Sequence, residues 1–201
     1  MRIAVWADED MWNELGVEES ETILRVDENA CFTDGSINGF IQLNPFHPAQ
    51  NIPTAGNKPY VVNDVLLLSS SLSHPSVVPF NGWKGFVGKE NWETAGPVSS
   101  EAVLLLNHIQ KKALPAPAVP GFISPRVIAM IINEAWFALE EKVSSKEDID
   151  TAMKLGTNYP FGPFEWGNLI GISNVYALLK RLEQINPIYA PAPLLTKEVQ
   201  S

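Results

Sequence analysis

Apolar positions along this chain follow two rhythms. Up to about residue 118 they come in compact runs, RIAVWA, ETILRV, ACFTD, GFIQL, KPYVVNDVLLL and VVPF, separated by clusters of Asn, Gly and Pro. Runs of that kind bounded by turn residues predict strands, with one helix expected over EAVLLLNHIQKK. After about 119 the period becomes helical. Ser124 can cap a helix opening on Pro125, and Val127, Ile128, Ile131, Ile132, Ala135 and Leu139 recur at helical spacing up to Val143. Trp136 and Phe137 widen its apolar face, which predicts a helix buried on two sides or lying in a subunit interface. A second helix is expected from Ser145, with Glu147, Asp148 and Asp150 complementing the dipole of its first turns, to Gly156 after Lys154. A third follows Gly162-Pro163 and stops near Gly171; a fourth, capped by Ser173, runs to Asn186-Pro187.

Two proline-rich segments punctuate this pattern. PFHPAQNIPTAGNKP at 45–59 predicts a long loop, and LPAPAVPG at 114–121 a hinge between domains. The expected architecture is a shortened α/β domain over 1–118 followed by an all-α domain over 119–201.

Composition changes this picture mainly through charge. The chain has 201 residues, 45% hydrophobic and 18% charged, with a net charge of −9, which argues against a nucleic-acid or anionic-membrane partner. The acidity is local: residues 1–34 hold ten acids against Arg2 and Arg25, so nearly all of the excess sits at one end. The single cysteine, Cys31, can form no internal disulfide, and a reduced cytoplasm is the expected setting. Asp27, Glu28 and Asp34 lie close to it in sequence and disfavour a thiolate, so a small buried hydrophobe is expected there. No stretch has the form of a signal peptide, and the longest purely apolar run, VIAMII at 127–132, is far below membrane-spanning length.

Candidate chemistry is sparse. His47 falls in the proline-rich loop, His74 in a turn and His108 on the polar side of its helix, too scattered for a metal site. GWKGFVGK at 82–89 is glycine-rich but lacks the spacing of a phosphate loop, and reads as a connection. The carboxylates at 8–10 and 18–21 read as solvated acidic surface rather than a cation site. Tyr159, Phe161, Phe164 and Trp166 form an aromatic cluster expected in a core, and Asn158 stands where a turn needs a left-handed backbone.

The segment PGFISPRVIAMIINEAWFALEEKVSSKEDIDTAMKLGTNYPFGPFEWGNLIG over 119–171 resembles the start of the C-terminal domain of the 3-hydroxyacyl-CoA dehydrogenases, with YAPAPLL at 189–195 continuing the likeness. That resemblance implies an NAD-binding Rossmann domain followed by a helical domain, similar to the C-terminal domain of 6-phosphogluconate dehydrogenase, that dimerises. It also implies oxidation of the 3-hydroxyl of an acyl-CoA in fatty-acid metabolism. A dinucleotide turn needs G-x-G-x-x-G so that the backbone can approach the pyrophosphate. Laid on the family's first strand, RIAVW puts Ala7, Glu9 and Trp12 at the glycine positions, with Asp8 and Asp10 beside them. Each carboxylate close to a pyrophosphate would repel it by about 1 kcal/mol even in a water-like dielectric.

The catalytic pattern of the resemblance is similarly thinned. Aligning PFN with the family's FFN puts Val78 at the position of the His base, while the Ser of the family's NTSS falls on Val65 and the Asn of its GFIVNR on Pro125. Only the Glu that orients the His has a counterpart, Glu93, with Glu90 as the alternative. The expected function is therefore that of a degenerate family member, an acyl-CoA-related binding or interaction module with no cofactor, dimerising through its helices. The alternative is an active NAD-dependent 3-hydroxybutyryl-CoA dehydrogenase.

Overall fold

The computed structural model describes residues 1–26, 34–47, 57–68 and 74–201. Cys31, the strand expected at ACFTD and most of the loop expected at 45–59 lie outside them. The chain divides into two compact units, 1–123 and 124–201.

The first unit is built on strands β1 (Ile3–Trp6), β2 (Ile23–Val26), β3 (Gly39–Gln42), β4 (Tyr60–Asn63), β5 (Val77–Phe80), β6 (Asn91–Ala95) and β7 (Lys112–Ala116), with helices α1 (Glu9–Leu15) and α2 (Ser100–His108). Their order in the sheet is β2-β1-β3-β4-β5-β6-β7. All neighbours run parallel except β5 and β6. This is a mostly parallel α/β sheet whose order reverses at β1, with both described helices on one face. Both faces are covered. Ile3, Val5, Ile41, Val61, Val78, Phe80 and Trp92 pack with Met11, Leu15, Leu105 and Leu106 of the two helices. Ala4, Phe40, Tyr60, Val62 and Val77 form the core of the other face. Burial on two sides is why these strands read as continuous apolar runs rather than as alternation.

The second unit consists of α3 (Ser124–Glu140), α4 (Lys146–Thr157), α5 (Pro163–Ile170), α6 (Ile172–Glu183), a 3-10 turn at Pro187–Tyr189 and α7 (Pro193–Gln200). Ile132, Val175, Leu178, Leu179, Leu182 and Leu195 are fully enclosed. Asn133 ties the C-terminal segment to α3: its Nδ2 donates to the Ala190 carbonyl and its Oδ1 accepts from the Ala192 amide.

Several expectations need correction. The first three residues of the hinge expected at 114–121, Leu114, Pro115 and Ala116, are strand, because Lys112–Ala116 pairs residue for residue with Asn91–Ala95. Pro115 is tolerated there because β7 is an edge. Residues 119–123 then belong to the first unit: Gly121 N–H donates to the Val65 carbonyl and Ile123 N–H to Glu93 Oε2. The strand expected to run through KPYVVNDVLLL stops at Asn63, where Asp64 accepts from Leu68 N–H and closes a turn. α4 continues to Thr157 and is stopped by Asn158 in the left-handed conformation (φ 57°). α6 begins at Ile172 after Gly171, with no side-chain cap from Ser173.

Candidate functional site

In open α/β sheets ligands bind beyond the carboxyl ends of the strands, where the strand order reverses. Here that place is the turn from β1 into α1, and the protein's own groups fill it. Asp8 caps α1, its carboxylate accepting from Met11 N–H at 2.8 Å, while its own N–H donates to Asn44 Oδ1 at 2.9 Å. Glu9 pairs with Arg25 of β2 at 2.6 Å, and Arg25 Nε donates to the Ala7 carbonyl. Asp10 pairs with Lys84 at 2.7 Å; that contact lowers the carboxyl pKa and raises that of the ammonium. Trp12 packs half-buried against the sheet core. Of the three positions aligned with the family's glycines, Ala7 is buried, Glu9 is exposed in an ion pair and Trp12 occupies core volume.

The glycine-rich segment 82–89 is a connection between β5 and β6 that clasps α1. The amides of Gly85 and Gly88 both donate to Glu14 Oε1, at 2.9 and 3.2 Å. These N–H groups thus hold an internal carboxylate. Beside them Lys111 is largely buried, its Nζ donating to the Gly88 carbonyl, and desolvation lowers its pKa.

Further along the same sheet end lies a cluster of buried polar side chains, Asn63, Asn81 and Glu93. Asn63 Nδ2 donates to the carbonyls of Leu43 (2.7 Å) and Gly82 (2.9 Å). Gly82 is required by that contact, since a Cβ on it would lie 2.4 Å from Asn63 Cγ. Glu93 lies on β6, and its Oε2 accepts from Ile123 N–H at 3.1 Å.

Strand register decides what faces Glu93. Phe80 pairs with Thr94 across the antiparallel β5/β6 contact, and Asn81 N–H donates to the Glu93 carbonyl, so Asn81 stands opposite Glu93 and shares its face. Val78 points the other way, into the core with Phe80 and Trp92. The position facing the acid is therefore occupied by Asn81, whose Oδ1 accepts from Trp83 N–H. Sequence reading did not single out Asn81, because which residue stands opposite Glu93 depends on the register of β5 against β6. An amide donates and accepts hydrogen bonds but takes up no proton near neutral pH. Glu90 is exposed and paired with Lys112 at 2.6 Å, away from this cluster. Val65 is buried, and Pro125 lies in the first turn of α3.

The histidines stay apart. His74 Nδ1 meets Ser76 Oγ at 2.7 Å within its own turn, and His108 ends α2. No group of three or more His, Cys, Asp or Glu able to hold a metal occurs among the described residues.

In the helical unit the GPFE segment is a joint. Asp150 of α4 caps α5, its two carboxylate oxygens accepting from Phe164 N–H (2.7 Å) and Glu165 N–H (3.1 Å). Glu165 accepts from Gly162 N–H and pairs with Lys154, contacts that hold its pKa below the ordinary carboxylate value. The aromatic cluster packs edge to face, Trp136 on Phe164 and Tyr159 on Trp166. Beside it α3, α4 and α5 leave a groove of about 660 Å³, lined by Val127, Met130, Ile131, Ala138, Ile149 and Met153 and bordered by Arg126 and Glu134. Among the described residues no helix is long and apolar enough to cross a membrane.

Residues 121–201 match the sequence pattern of the 3-hydroxyacyl-CoA dehydrogenase C-terminal domain. The chain is 45% identical over 83 residues to a 3-hydroxyadipyl-CoA dehydrogenase of Escherichia coli, covering 41% of this chain and 18% of that protein. It is 40% identical over 99 residues to a 3-hydroxybutyryl-CoA dehydrogenase of Clostridioides difficile, covering 48% of this chain and 35% of the relative. The chain thus matches well under half the length of these curated relatives. In fold the likeness is wider: the crystal structure of an (S)-3-hydroxybutyryl-CoA dehydrogenase from Ralstonia eutropha aligns over 99% of this chain and 93% of its own, with a TM-score of 0.69 at 16% identity.

Proposed function

Because residues 121–201 place this chain in the 3-hydroxyacyl-CoA dehydrogenase family by its C-terminal domain, we propose that it is a member that has kept the scaffold and given up hydride transfer, and that it acts as an acyl-CoA-related binding or interaction module. The observation that carries this reading is the pair facing one another across β5 and β6, Asn81 and Glu93. Removing hydride from a secondary alcohol requires something to take the hydroxyl proton. In the family's pattern a His does so, oriented by a Glu; here the position aligned with the His is Val78, whose side chain lies in the core, and the group opposite Glu93, the proposed counterpart of that Glu, is an amide.

The dinucleotide that the family implies does not suit this chain either. A pyrophosphate at the start of α1 would meet Asp8, Glu9 and Asp10, and the α1 amide of Met11 already serves Asp8. Arg25 and Lys84, the nearby cations, are committed to Glu9 and Asp10. A homodimer through the helical unit, in the cytoplasm, completes the proposal.

NADH fluorescence titration tests it first: no saturable change is expected up to millimolar NADH, and binding at micromolar concentration would overturn the reading. Oxidation of NADH dependent on acetoacetyl-CoA is the second assay. Turnover well above a protein-free blank would establish the alternative, an active 3-hydroxybutyryl-CoA dehydrogenase.

A further inference from the structure

Asn81 and Glu93 share one face at the end of the sheet where open α/β folds bind their ligands, and both are nearly enclosed, 2% and 9% exposed. Asn63, the third buried polar group there, is spent, because its Nδ2 serves the Leu43 and Gly82 carbonyls. Asn81 is only half used. Its Oδ1 accepts from Trp83 N–H at 3.3 Å, whereas no described group accepts from its Nδ2, and that nitrogen is not sealed from solvent. An enclosed amide donor without an acceptor costs about 1–3 kcal/mol. A donor kept open on the face of a carboxylate marks a place for an oxygen atom from outside the protein.

The carboxylate itself is held in position, since Glu93 Oε2 accepts from Ile123 N–H, and a carboxylate has more lone pairs than that bond uses. A fixed carboxylate and an amide donor are the two parts needed to form an enolate: one takes a proton from carbon, the other stabilises the charge that appears on oxygen. Neither part needs an electron acceptor. Carboxylates are weak bases, so the C–H within reach is one already acidified from two sides.

We infer that Asn81 and Glu93 form a redox-neutral proton-transfer site that enolises 1,3-dicarbonyl compounds. Glu93 takes a proton from the carbon between the two carbonyls. The electron pair of that C–H bond becomes the C=C bond of the enolate, one C=O π pair moves onto its oxygen, and Asn81 Nδ2 donates to that oxygen. Return of the proton from the Glu93 carboxyl to the same carbon closes the cycle, with no oxidant or reductant consumed. This activity stands on the two side chains and goes beyond the acyl-CoA reading.

Deuterium exchange into ethyl acetoacetate in heavy water, followed by proton NMR with the full chain, tests it. Exchange at the methylene between the carbonyls is expected to rise in proportion to protein and to saturate at millimolar ester, which catalysis by scattered surface carboxylates does not do. Glu93→Gln and Asn81→Ala should each lower the saturable rate by about a hundredfold, with near-UV circular dichroism establishing that the variants are folded. No saturable exchange by the unmodified chain, or an unchanged rate in either folded variant, overturns the site and leaves the loss of hydride transfer standing. Where a variant does not fold, the side-chain amide signals of Asn81 in the isotope-labelled, unmodified protein decide. A shift that saturates together with the exchange rate upholds the pair, and no shift on adding the ester overturns it.

Discussion

Gly162 has no side chain with which to cap α5, and Asp150 supplies the carboxylate from α4 instead. The two residues need each other: a Cβ on Gly162 would lie 2.3 Å from Asp150 Cβ. Gly162→Ala is expected to destabilise the helical unit by about 1–3 kcal/mol through this overlap. Asp150→Ala should cost about 1–2 kcal/mol through two orphaned amides. Denaturant midpoints followed by the fluorescence of Trp136 and Trp166 would check both, and an unchanged midpoint for either would refute the joint. Glu165 adds a pH dependence of definite sign. Its folded pKa is depressed by Lys154 and by the Gly162 amide, so its contribution is present above the unfolded carboxylate pKa and fades as pH falls through the lower folded value. Glu165→Gln should flatten that acid limb of the helical unit's stability and leave stability above it less dependent on pH. The EDID and GPFE residues were conspicuous in sequence, and Asn158 was recognisable as a left-handed stop. That Asp150 reaches across to cap another helix was not legible, because capping partners fourteen residues apart meet only once both helices are packed.

Elements with their own periodicity or turn signals were the readable ones. α3 announces itself by apolar spacing, and β1, β4 and β5 by dense β-branched runs. α1 does not: only Met11 and Leu15 of its seven residues are buried, and Asp8 and Gly16 mark its ends without an apolar stripe between them. β6 is NWETA, a poor strand by composition, made one by pairing with β5 and β7. β7 carries Pro115 and was hidden in what looked like a linker. Strand position also sets local stability. Among the described residues β2 is an outer strand of the sheet, paired only with β1, and all four of its residues are half-buried. Its amides should exchange with solvent faster than those of β3 and β4, which are flanked on both sides, by at least an order of magnitude in hydrogen-exchange NMR. Equal protection would mean that β2 is covered by something further.

For the whole molecule, the fold is that of the (S)-3-hydroxybutyryl-CoA dehydrogenase structure it aligns with. The proposed loss of hydride transfer is a separate matter, because that chemistry would require a proton acceptor and a bound dinucleotide together, each depending on groups brought in from several strands. Asn81→His would put an imidazole on the face of Glu93, while the β1–α1 turn would keep Asp8, Glu9 and Asp10. This variant is therefore expected to remain inactive in acetoacetyl-CoA-dependent NADH oxidation. Activity from that one change would show that the acidic turn is no obstacle.

By itself the amino-acid sequence determined the class of each half, the helical family domain and the acidic turn without glycines, because all of these are local strings or local charge. Which residue confronts Glu93 was decided only by the tertiary structure. Sequence alignment can slide one strand along another's pattern at no cost, whereas a folded β5/β6 pair commits its hydrogen bonds to one register, and that register turns Val78 into the core and Asn81 toward the acid.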